Sequence, residues 1–125
     1  MIEPLYLGNF SGREDIEEEF SDYGWNYLTN SQRVGDFVLT EGINIIAAYY
    51  TYEDYSGAAF VLFEQDGKLY EVNAFHCSCY GLENQWAPEE TSLEAVRMRH
   101  FYGHLTAEEE ERLHAHLERF QREWF

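Results

Sequence analysis

The run His76-Cys77-Ser78-Cys79 gathers an imidazole and two thiols within four residues. Imidazole and thiolate are the ligands a borderline-soft ion such as zinc takes, so His76, Cys77 and Cys79 form a candidate metal centre. Four more histidines follow: His100, His104, His114 and His116. His100 and His104 are four apart, which puts them on one face of a helix, although Gly103 is a ready helix terminator. Against zinc, Cys-x-Cys is not the common Cys-x-x-Cys knuckle, and the chain has no second cysteine pair. The alternative, with no cofactor, is two small thiols at a strand end beside a packed histidine, and this structural role is preferred. A thiol nucleophile with a histidine base is a further alternative. It suffers from an acidic neighbourhood, which keeps a thiol protonated. A disulfide across a single intervening residue would be strained, so reduced thiols in a cytoplasm are expected.

Carboxylates are the more abundant chemistry. The 125 residues include 24 Asp and Glu against eight Lys and Arg, a formal net charge of -16. That balance excludes a nucleic-acid binder working through a basic surface, and it disfavours anionic membranes. The adjacent acids Glu53-Asp54 and Glu89-Glu90 invite an acid–base reading. Nothing around them sets two carboxyls in opposed environments, as that chemistry requires. The sequence holds no phosphate-cradling glycine loop, no His-Glu-x-x-His and no Gly-x-Ser-x-Gly, and the reading is of a non-enzyme.

Carboxylates along one face can instead imitate nucleic-acid phosphates and steer a protein toward a basic cleft. Residues 1–96 hold three basic and 18 acidic residues, while residues 97–125 hold five and six. The first stretch far exceeds the roughly 2–8 charges that solubility asks of a small domain. The expected partner-binding residues are Glu14, Asp15, Glu17, Glu18, Glu19 and Asp22, with Glu53, Asp54 and Tyr55 as a second cluster. Tyr23, Trp25, Tyr52 and Tyr55 are candidate aromatic anchors among them.

These residues need a scaffold, and composition supplies the means. The chain is 45% hydrophobic and 18% aromatic, enough apolar surface to offset chain entropy despite the charge. Ser11 with Glu14 has the form of a capping box, and Ile16, Phe20 and Tyr23 follow at near-helical spacing, predicting a helix over 13–23. Gly24 to Asn30 reads as a break and Arg33 to Leu39 as a short strand. Ile43 to Tyr52, Ala58 to Glu64 and Lys68 to Phe75 are rich in β-branched and aromatic residues. Asp66-Gly67 between the last two is a type I′ hairpin signal. Runs such as Phe60 to Phe63 are apolar on both faces, so part of the sheet is expected to be covered on both sides. After a loop over 81–88 carrying Trp86, Thr91 with Glu94 opens a helix to about Tyr102, with Gly103 as its C-cap. Thr106 with Glu109 opens the last helix, whose stripe is Leu113, Leu117, Phe120 and Trp124. The stripe suits docking on a sheet, or equally a homodimer contact. The expected fold is one acidic α+β domain over 1–125. A three- to four-stranded antiparallel meander would carry an N-terminal helix and two C-terminal helices packed on it. No segment reaches the length of a membrane span, and the N-terminus lacks the basic and apolar regions of a signal peptide.

Three segments carry a resemblance. They are Tyr52-Glu-Asp-Tyr-Ser-Gly-Ala-Ala-Phe-Val-Leu-Phe, Asp66-Gly-Lys-Leu-Tyr-Glu-Val-Asn and His76-Cys-Ser-Cys-Tyr-Gly-Leu-Glu. Over about residues 52–90 the chain resembles a group of small phage and prophage proteins with this core. The resemblance implies a setting, the bacterial cytoplasm during infection or lysogeny, rather than a mechanism. Combined with the charge, it leads to an expected function: a non-enzymatic inhibitor, anti-CRISPR or antirestriction in type. Its partner would be a basic host protein, such as a nuclease or a CRISPR surveillance complex, bound without direct contact to nucleic acid. A metal- or thiol-dependent protein centred on His76, Cys77 and Cys79 is the second expectation, and an immunity protein for a toxic nuclease the third.

Overall fold

Asp66 and Gly67 both take positive φ, 53° and 83°, the type I′ turn an Asp-Gly pair favours. They join the two strands of the central hairpin. A computed structural model describes residues 3–20, 42–53, 56–77, 82, 85–99, 101 and 103–124. The expected break at Gly24–Asn30 and strand at Arg33–Leu39 lie outside the described residues.

The elements are β1 (Leu5–Gly8), α1 (Arg13–Phe20), β2 (Asn44–Glu53), β3 (Ser56–Gln65), β4 (Lys68–His76), β5 (Glu89–Thr91), α2 (Leu93–Met98) and α3 (Ala107–Trp124). The Asp-Gly turn thus connects β3 to β4, and the Glu64 carboxylate accepts the Gly67 N–H at 2.9 Å. β2, β3 and β4 are the expected antiparallel meander.

The sheet is wider than a meander, and mixed. β1 runs parallel to β2, with Leu5 opposite Ala47 and Gly8 opposite Tyr50. β5 adds antiparallel to Leu69–Glu71 of β4. The order β1-β2-β3-β4-β5 corrects the expectation of a three- to four-stranded, wholly antiparallel sheet. Both additions are short. Four residues in β1 show too little of a period to be read, and Glu89-Glu90 have weak strand propensity. Such charges suit an edge, where they discourage further pairing. Farther along β4, the Gln85 side chain takes the place of a strand. Its Oε1 accepts the Phe75 N–H at 2.9 Å and its Nε2 donates to the Phe75 carbonyl at 2.7 Å.

The strands are apolar on both faces because both faces are covered. On one, Ala48, Tyr50, Val61, Phe63 and Val72 pack with Ile16 and Phe20 of α1, and with Leu82 and Trp86. On the other, Tyr49, Phe60 and Leu62 pack with Leu93 and Val96 of α2 and with Leu113, Leu117 and Phe120 of α3. Leu113, Leu117 and Phe120 of the last-helix stripe are therefore buried against the protein's own sheet. A bulge between Ile45 and Ala47 turns Ile46 and Ala47 to this same face. There His116 of α3 donates its Nε2–H to the Ile46 carbonyl at 2.9 Å.

Helix ends depart from the expected caps in instructive ways. Ser11 is paired with Asp15 rather than Glu14: the Ser11 N–H and hydroxyl both donate to Asp15 Oδ2 at 2.7 Å. Ser92, not Thr91, caps α2, its Oγ accepting the Ala95 N–H at 3.1 Å. Thr106 and Glu109 form the expected reciprocal box, at 3.0 and 3.1 Å. α2 stops at Met98 rather than near Tyr102, because Arg99 turns extended and pairs with Glu71 on β4. Gly103 is not its cap. Gly103 has φ 112°, and a Cβ there would stand 2.6 Å from Thr51 Oγ1, so it serves a close approach to β2. His104 accordingly lies beyond α2, not on a shared helix face with His100, which is outside the described residues. Among the described residues, no helix is long and apolar enough to cross a membrane.

Candidate functional site

α1 has two sides. Ile16 and Phe20 are buried in the sheet's first face. Glu14 and Glu18, four apart, are exposed on the outer side, and Glu17 and Glu19 are half-buried flanks. The helix's one basic residue, Arg13, is exposed, and its Nη2 donates to the Ile43 carbonyl at 3.0 Å. Asp15 has a local duty as the Ser11 partner. The Ser11 hydroxyl, then its backbone N–H, hold the Asp15 carboxyl below the usual carboxylate range. Glu14 and Asp15 also complement the helix dipole in the first turn. Asp22 lies outside the described residues.

The second expected cluster is described only through Glu53, since Asp54 and Tyr55 lie outside the described residues. Glu53 is well exposed, with Oε2 3.5 Å from His104 Nδ1. Thr51 orients that histidine's backbone, its Oγ1 accepting the His104 N–H at 2.7 Å.

Beside it, on the opposite face, register places Tyr52, Gly57 and His76 in one row across β2, β3 and β4. Gly57 is required there, because a Cβ would stand 2.3 Å from Tyr52 Cβ. Across the space it leaves, the Tyr52 and His76 rings meet with centroids 5.2 Å apart, inclined by 34°. Tyr50 backs Tyr52 at 5.5 Å and is itself met by Phe10 at 5.4 Å. Tyr52 remains 51% exposed.

The His-Cys-Ser-Cys run is split by this geometry. His76 joins the aromatic row, and its Nδ1 is buried with no hydrogen-bond partner among the described residues. Cys77 is half-buried and continues the strand, so alternation directs it away from the His76 face. Cys79 lies outside the described residues. Among the described residues, no three His, Cys, Asp or Glu side chains are grouped to hold a metal ion.

Two features escaped the sequence reading. Glu71 is a buried carboxylate, 5% exposed, on the face shared with Leu69. Burial pushes its pKa upward, but hydrogen bonds from Arg99, Thr91 and Asn73 and the Arg99 charge outweigh that and hold it below the ordinary value. The signal was the two-residue spacing from Leu69, which puts Glu71 on the same covered face once the strand is placed. A cleft of about 530 Å³ also separates α2 from α3, lined by Glu94, Arg97, Met98, Glu111, His114 and Glu118 among others, and Arg97 hydrogen-bonds Gln121 there. No local pattern announces it, because it depends on how the two helices pack. In comparisons with known proteins, no family model, curated protein or solved structure matches this chain.

Proposed function

We propose that the protein is a non-enzymatic acidic inhibitor that occupies the basic surface of a nucleic-acid-handling host defence protein in the bacterial cytoplasm. A nuclease or a CRISPR surveillance complex has the required surface, and carboxylates would stand where phosphates bind. The observation that carries this reading is the sidedness of α1. Its apolar pair is buried, its arginine is held by the Ile43 carbonyl, and Glu14 and Glu18 face out from a chain of net charge -16. Such a field accelerates encounter with a cationic cleft and is screened by salt.

The test is capture of partners from host lysate by the wild-type chain and by the Glu14→Lys/Glu18→Lys variant, at low and high salt. Wild type should retain a basic nuclease or surveillance-complex subunit that salt releases. The variant should associate on the order of tenfold more slowly, since surface charge acts mainly on the on-rate. Undiminished capture by a variant with an unchanged melting curve would remove α1 from the binding surface.

A further inference from the structure

The exposed end of the sheet offers a contact that charge alone does not describe. Tyr52 is half in water, yet its ring is held by His76 at 5.2 Å and Tyr50 at 5.5 Å. Gly57 keeps the space beneath it open. A ring fixed in this way loses little freedom when a ligand covers its outer face. The next residue, Glu53, has a side chain 72% exposed at the same strand end.

We infer that the Tyr52–His76 ring pair is an arginine-stacking platform. This rests on the acidic-inhibitor reading and names the side chain that the partner presents there. The net charge of -16 selects a cation as the occupant. Between the two cationic side chains, the platform favours arginine. A guanidinium is planar and weakly hydrated, so it lies flat on an aromatic face, whereas an ammonium retains its water more strongly. Carboxylates draw both ions alike, and only the ring distinguishes them.

The experiment uses the whole chain and two probes, an oligoarginine and an oligolysine peptide of equal length, titrated calorimetrically at low ionic strength. Oligoarginine should bind roughly two- to fivefold more tightly, the size of an exposed cation–π contact. Tyr52→Leu should bind both peptides and lose the preference, while Tyr52→Phe should keep it, with melting curves reporting that each variant is folded. Equal binding of the two peptides by wild type, or a preference that survives in Tyr52→Leu, overturns the platform and leaves the acidic-surface reading standing. Failure of both peptides to bind overturns that reading and the platform with it.

Discussion

Glu71 occupies a position where the fold asks for a core residue, and its ionised state depends on what surrounds it. Arg99 reaches it from the end of α2 with two contacts, Nη2 to Oε2 at 2.8 Å and Nη1 to Oε1. Asn73 Nδ2 donates at 2.8 Å. Removing one partner leaves a buried charge short of a donor, a larger loss than the bond's net worth. Arg99→Met should therefore cost about 1–3 kcal/mol in urea unfolding, the lower part of the range reflecting that Arg99 is itself partly hydrated. Adding Glu71→Gln should restore much of it. The linkage has a defined sign. Because the folded Glu71 pKa lies below its ordinary 4.5, its contribution is complete above that value and is lost as pH falls through the folded pKa. Arg99→Met should flatten that acid limb.

Between elements, His116 performs the corresponding task. It fastens α3 to the bulge in β2, whose Ile46 carbonyl accepts its Nε2–H. Burial, then the Arg119 charge, lowers the imidazole pKa from 6.5, while the bond to Ile46 works in the other direction. The unfolded chain thus takes up the proton first as pH drops, so stability is complete above 6.5 and declines below it, through the folded pKa. Urea midpoints at about pH 7.5 and about pH 5.5 should show this decline, and His116→Gln, which keeps a donor, should lessen it. The bulge itself was not legible, since an inserted residue is visible only against its partner strand. β2, β3 and β4 were legible because runs of β-branched and aromatic residues and an Asp-Gly turn are local signals. The start of α3 was legible for the same reason, through Thr106 and Glu109. The end of α2 was misplaced because Arg99 leaves the helix for a residue 28 positions earlier. Likewise the acids of α1 could be read directly, whereas the pairing of Tyr52 with His76 across Gly57 depends on the register of three strands.

Over the whole molecule, a net charge of -16 means that every carboxylate feels others of its own sign. Self-repulsion of this kind opposes the compact state and is screened over a Debye length. Raising sodium chloride from low to physiological strength should lift the melting midpoint, by about 4 °C for each kcal/mol of repulsion relieved. The same salt should weaken partner capture, so stability and binding should move in opposite directions in one titration. At the sheet's margin, β5 covers Leu69–Glu71 and the Gln85 amide covers Phe75. By strand alternation, Asn73 is the outward-facing position between those two covers. A strand from another copy would need several consecutive backbone positions to gain a foothold, and among the described residues this margin supplies a single one. A chain with so much β structure is thereby protected from growing into fibrils at its β4 margin.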